Sequence, residues 1–249
     1  MVELTLVFTF ILGLIVGSFL NVVVYRLNTG RTVAGRSLCL ACGQQLAWYD
    51  LVPLFSFLFL GGRCRYCRAK ISWQYPLVEL ATAALFAAVA SKFPAGPAGV
   101  NWWWLLWWLV MSLIVVIVVY DWRHQIIPDG PVYLLIALAL IYALVQPDRW
   151  WYLATGAGWA GFFALLWAGS RGRWLGLGDA KLALALGFLL GWPGALGAMV
   201  WSFWSGAGVG LALLAVGRYS TIKAEVPFAP FLALGFALNF FFNLNVFFF

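Results

Sequence analysis

Seven mostly apolar stretches follow an apolar N-terminus in this chain, most of them near the length of about 20 residues that spans a bilayer as a helix. They fall at about 1–25, 75–93, 101–120, 131–146, 150–169, 179–192, 195–217 and 228–247. Pro94-Ala95-Gly96-Pro97, Gln146-Pro147-Asp148, the Gly/Arg segment 169–176, Gly191-Trp192-Pro193-Gly194 and Glu225-Val226-Pro227 separate them as loops. Composition agrees: 65% of residues are hydrophobic and only 9% are charged, against about 25% charged in soluble domains. A core of this size could not hide so much apolar surface, so the bilayer must solvate most of it. The expected fold is all-α: a polytopic membrane bundle of about eight transmembrane helices.

Charge orients the bundle. Met1–Tyr25 lacks the basic residues that precede the apolar run of a signal peptide; Arg26, Arg31 and Arg36 follow it instead. This predicts an uncleaved first span with its start outside and its end in the cytoplasm. With both termini outside, all Lys and Arg residues except Lys92 and Arg149 fall on or beside the cytoplasmic face. The net charge of +7 then reads as topological anchoring rather than as a nucleic-acid surface. Segment 26–74 is the one sizeable polar region, a cytoplasmic loop with seven basic residues and one acid, Asp50. Its apolar run Leu51–Leu60 is too short to span, and packs on the membrane surface or within the loop. These features divide the chain into an N-terminal region, 1–93, and a six-helix membrane domain, 94–249.

The loop carries Cys39-Leu40-Ala41-Cys42 and Cys64-Arg65-Tyr66-Cys67, two CxxC pairs with 21 residues between Cys42 and Cys64. Such pairs can converge as four thiolates on one tetrahedral ion, and zinc suits four sulfurs with a structural role. Two disulfides are the alternative, which a reducing cytoplasm disfavours.

Acids within or beside spans are costly and so are candidates for function. Glu3, Asp50, Asp148 and Glu225 sit in termini or loops and are expected to be solvated, leaving Glu79, Asp121, Asp129 and Asp179. Asp121 ends one span and Asp179 begins another, within Gly176-Leu177-Gly178-Asp179, and the topology gives both the same cytoplasmic depth. Two carboxyls brought together there would share one proton, as in aspartic proteases. The glycines would let the backbone approach a neighbouring helix or a substrate chain. Two solvated helix-end residues are the plainer alternative. Lys181 can pair with Asp179 or snorkel. His124 reads as a solvated loop residue, and Asp129 after Pro128 as a turn or cap. A transporter or channel, the rival class, would put its acids near the bilayer midplane on interrupted spans rather than at span ends. A catalytically dead assembly factor docking through the zinc loop is a further alternative.

From about Gly13 to Gly235 the chain resembles the bacterial type IV prepilin peptidases, GxGD aspartyl proteases of pilus, type II secretion and competence systems. The resemblance is carried by Gly13-Leu14-Ile15-Val16-Gly17-Ser18-Phe19-Leu20-Asn21, the paired CxxC loop, and Ile71-Ser72-Trp73-Gln74-Tyr75-Pro76-Leu77-Val78-Glu79-Leu80. It continues through Asp121 with Ile127-Pro128-Asp129, Gly176-Leu177-Gly178-Asp179-Ala180-Lys181-Leu182, and Pro227-Phe228-Ala229-Pro230-Phe231-Leu232-Ala233-Leu234-Gly235. It implies an inner-membrane enzyme that removes the leader of type IV prepilins or pseudopilins after a glycine at the cytoplasmic face. N-methylation with S-adenosylmethionine follows in many members, and a protease without that activity is the variant reading. On this resemblance Asp121 and Asp179 are the catalytic pair, Gly176, Gly178 and Lys181 support it, Cys39, Cys42, Cys64 and Cys67 hold zinc, and Glu79 is associated with methyl transfer. Leu40 stands where Pro is frequent and Ala229 where Gly is common, and neither is expected to touch the protease site.

Overall fold

A computed structural model describes residues 2–30, 32–94, 101–216 and 227–245. Arg31, Glu225 and the loop signals at 95–97 and 225–226 lie outside the described residues. Among the described residues the chain is helical: α1 (Val2–Arg26), α2 (Phe55–Phe59), α3 (Gln74–Lys92), α4 (Trp103–His124), α5 (Asp129–Val145), α6 (Arg149–Ser170), α7 (Leu177–Leu190), α8 (Gly194–Ala215) and α9 (Ala229–Phe242). Among the described residues, β-pairing is limited to two isolated bridges, Leu38 with Gln45 and Arg63 with Lys70. All eight predicted stretches coincide with helices. Four of these, α1, α3, α4 and α8, are long and apolar enough to cross a membrane.

Contacts group the chain into two compact units, Met1–Val116 and Ile117–Phe249, with α4 running from one into the other. In the first unit α1 lies against α3 at backbone distance, because Gly13-xxx-Gly17 removes the side chains at the crossing. A Cβ on Gly13 would come within 2.5 Å of Ala83 Cα, and one on Gly17 within 2.7 Å of Glu79 Cα. Packing through small residues is how helices gain contact where lipid supplies no hydrophobic drive. The ends of the two helices are tied by Asn21. Its amide donates to the carbonyls of Gly17 and Tyr75, and its Oδ1 accepts from Gln74. The first half of α4 packs on α3 by stacking Trp108 on Phe86, ring centroids 5.0 Å apart, while the Trp108 indole donates to the Phe86 carbonyl.

The second unit uses the same device twice. At the crossing of α6 and α7, a Cβ on Gly187 would lie 2.6 Å from Gly156 Cα. Between α8 and α9, Gly235 sits against Ala198 and Ser202 with no room for a methyl group. Phe163, Leu182, Leu186, Leu232 and Phe236 fill the remaining interior.

Two predicted boundaries shift, and both bear on function. Helix α4 continues one turn past Asp121 to His124, so that Asp121 lies inside the last turn rather than at its end. Helix α7 starts at Leu177, with Gly176 as its N-cap, so that Asp179 is its third residue. His124 is likewise a helical residue, its ring 4.2 Å from that of Tyr120.

Candidate active site and metal centre

Asp121 and Asp179 belong to the second unit, are both buried, and lie close enough to interact electrostatically. Each carboxyl is held by one backbone amide. Gly176 N donates to Asp179 Oδ2 at 3.0 Å, closing the first turn of α7 back on its cap. Ala229 N, at the start of α9, donates to Asp121 Oδ2 at 3.2 Å. The expectation that Ala229 stays clear of the protease site is thus corrected. The contact is made by the main chain of this fully buried residue, whose position Pro230 in the first turn of α9 helps to set. The sequence signal was present in Phe228-Ala229-Pro230, a helix start placed after a loop, but it gives no partner.

The two glycines before Asp179 differ in what they do. A Cβ on Gly178 would come within 2.8 Å of Ile127 Cβ, so this glycine is where the turn between α4 and α5 seats on α7. A Cβ on Gly176 would meet nothing closer than 3.6 Å, and its backbone, φ −79° and ψ 153°, suits any residue. Gly178→Ala should therefore cost about 1–3 kcal/mol and much of the activity, because the Ile127 Cβ is fixed by the backbone and no side-chain rotation moves it aside. Gly176→Ala should be near neutral in thermal unfolding and turnover. Equal effects from the two substitutions would contradict this division of labour.

Lys181 does not pair with Asp179. Its ammonium lies 2.6 Å from Asp129 Oδ1 and 4.8 Å from the centre of the Tyr133 ring. The reason is local: Asp179 already faces inward to its cap, and position 181 projects toward α5. The pair fastens the start of α5 to the first turn of α7, beside the contact of Ile127 with Gly178. Asp129 is 68% exposed, so screening leaves the pair worth about 0–1 kcal/mol.

In the first unit, the four cysteine sulfurs lie within 4.8 Å of one another, with Cys39 Sγ 3.8 Å from Cys67 Sγ, and none of the four is in a disulfide. Tetrahedral zinc with bonds of about 2.3 Å separates its sulfurs by about 3.8 Å, so the donor set and its spacing fit that ion. Each pair is held in a matching turn. Gly43 N donates to Cys39 O and Arg68 N to Cys64 O, while Cys39 N and Cys64 N donate to Gln44 O and Ala69 O. Gly43 and Arg68 both adopt positive φ. Crowding splits the thiols: the backbone amide of Cys42 helps draw Cys39 down to about 6, while, against the Ala69 amide, desolvation and the neighbouring cysteine sulfurs push Cys67 up to about 11.

Asp50, expected to be solvated, is instead the second centre of this loop, with its side chain only 3% exposed. It accepts from Arg65 Nε at 2.7 Å, Tyr66 Oη at 3.0 Å and Ala47 N at 3.2 Å. It thereby ties the segment between the cysteine pairs to the second pair. Burial pushes its carboxyl up, but these three donors outweigh it and leave the group below the usual carboxylate range. A depressed folded value means stability that is present above the unfolded value, about 3.9, and lost as pH falls through the folded one. Asp50→Asn should cost about 1–3 kcal/mol of loop stability near neutral pH, with the difference from the parent shrinking below about pH 4. Hydrogen exchange of loop amides checks this; unchanged protection at neutral pH would refute it.

Glu79 is buried in α3, where Oε2 accepts the Leu54 amide at 2.8 Å and Ser18 of α1 bonds the same carboxyl. Leu54 has φ +62°, a conformation that disfavours a branched residue, and the Glu79 bond helps hold it there. Nothing in the residue pattern points to this link, which joins residues 25 apart.

Two family profiles match in succession: the bacterial peptidase A24 N-terminal domain over residues 11–93, and the type IV leader peptidase family over residues 108–211. A prepilin leader peptidase/N-methyltransferase of Burkholderia pseudomallei (strain 1026b) is 33% identical, over 96% of this chain and 85% of the relative. The chain belongs to the type IV leader peptidase family. This chain is also 33% identical to a prepilin leader peptidase/N-methyltransferase of Bacillus subtilis (strain 168), over 91% of this chain and 90% of the relative. A protein of the same name from Myxococcus xanthus (strain DK1622) is 38% identical over 85% of this chain and 64% of its own length. No solved structure is a significant match to this leader peptidase.

Proposed function

We propose that this leader peptidase cuts type IV prepilins or pseudopilins after the leader glycine, using Asp121 and Asp179 as a proton-sharing pair. The observation that carries this reading is two buried carboxyls, each steadied by one backbone amide and within electrostatic reach of the other. One carboxylate takes a proton from water as it attacks the scissile carbonyl, while the other, protonated, donates to the carbonyl oxygen. The tetrahedral diol then collapses as the C–N bond breaks, the amine nitrogen taking the proton first removed from water and a diol hydroxyl returning its proton to the second carboxylate. Gly178 and Lys181 support the pair by seating the first turn of α7, and Gly176 supports it through its main-chain amide alone. The region 1–93 carries the metal loop, and 94–249 forms the peptidase domain.

In this reading Cys39, Cys42, Cys64 and Cys67 hold a structural zinc, whose contribution is folding energy for the loop. The names of the relatives support a second activity, methylation of the new N-terminal amine with S-adenosylmethionine as methyl donor. Glu79 is the side chain proposed for it, since a buried carboxylate suits a cationic partner. Eight spans place both termini outside the cytoplasm and the acids at the cytoplasmic face of the inner membrane.

Processing of a co-expressed prepilin, followed by its loss of mass on a gel, tests the cleavage. Sidedness is tested separately: a cysteine introduced beside Asp121 or Asp179 should react with an impermeant maleimide from the cytoplasmic side, and one near Pro94 from the other. Labelling of all these sites from one side would refute the topology.

A further inference from the structure

Helix α2 divides its side chains between the loop interior and the surface. Among its five residues, Phe57 turns inward, its ring 4.9 Å from that of Trp73 and against Gly62. Phe55, Leu58 and Phe59 turn outward and are 57%, 68% and 87% exposed. The helix is not free to float above the membrane. Leu54, directly before it, is bonded to Glu79, which lies five residues and so about 7.5 Å into α3. Glu79 is flanked by Leu77 and Leu80, both exposed on the surface of a helix long enough to cross a bilayer. Asn21 near the end of α1 bonds Tyr75 at the start of α3, so these two helix ends lie at one level.

We propose that α2 is an interfacial anchor: Phe55, Leu58 and Phe59 enter the boundary between headgroups and acyl chains and hold the cysteine loop on the membrane surface. The occupant is a lipid surface, for two reasons beyond exposure. The tie to Glu79 sets α2 at the depth where α3 enters the bilayer, and large apolar side chains left at that depth are solvated by lipid. The loop also exposes Arg63, Arg68 and Lys70, which suit anionic headgroups. This inference rests on α3 crossing the membrane and is independent of the peptidase reading. An interfacial anchor would limit the excursions of the loop while leaving it outside the hydrocarbon core.

The test is fluorine resonance from a trifluoromethyl-phenylalanine placed at Phe59 in the full chain, in nanodiscs of phosphatidylethanolamine and phosphatidylglycerol. Oxygen, which partitions into lipid, should broaden the signal several-fold more than an aqueous nickel chelate. Stronger broadening by nickel would put the side chain in water and overturn the anchor. Protection from both reagents would show it covered by protein, whether a second copy or another part of the chain, and would overturn it equally. Prepilin cleavage measured on the same sample reports separately on the peptidase.

Discussion

Asp121→Asn and Asp179→Asn should each abolish prepilin cleavage while leaving a folded membrane protein. The fold should survive because an asparagine carbonyl can still accept the amide of Ala229 or Gly176 that now holds the carboxylate. Activity should not survive, since an amide can neither take a proton from water nor give one to the scissile bond. Loss of about 10⁴-fold or more is the scale for residues that act as one unit, and the double variant should be hardly worse than either single one. Rates measured with purified variants and one prepilin check both points. Near-normal cleavage by either variant, or losses that multiply, would remove the pair from the mechanism.

The second large effect concerns the metal. Purified protein should carry about one zinc per chain, and Cys64→Ser should abolish it. Cys64 is the buried member of the four, so its loss also opens the interior of the loop. Structural zinc contributes roughly 10–16 kcal/mol of apparent binding free energy in small domains, far more than this loop's sparse apolar packing can supply. The loop should therefore lose amide protection and become sensitive to proteolysis, while α1 and α3, joined through Gly13, Gly17 and Asn21, keep theirs. Elemental analysis with limited proteolysis decides it: metal-free protein with an ordered, protease-resistant loop would contradict the assignment.

Much of this was legible in the residue pattern, for identifiable reasons. Helices of a membrane protein announce themselves by length and apolarity, so all eight stretches fall on helices. The cysteine spacing brought four sulfurs together because a pair two residues apart can close only a tight turn, as Gly43 and Arg68 do with positive φ. What stayed hidden was contact by main chain. The amide of Ala229 on Asp121, and that of Leu54 on Glu79, leave no trace in side-chain identity. Asp50 was misread for a related cause: a lone acid in a basic loop looks solvated until folding brings Arg65 and Tyr66 onto it. Lys181 was read against its sequence neighbour Asp179, whereas the helical turn directs it to Asp129, 52 residues away.

The central claim is that these two buried aspartates make this chain a prepilin-cleaving enzyme. Intact mass spectrometry of the N-terminus of a prepilin co-expressed with the wild-type chain tests it most directly. The expected product starts immediately after the leader glycine, about 14 Da heavier where the new amine is methylated, with full-length prepilin beside either Asp121→Asn or Asp179→Asn. Uncut prepilin beside the wild-type chain, or cut prepilin beside both variants, would contradict it.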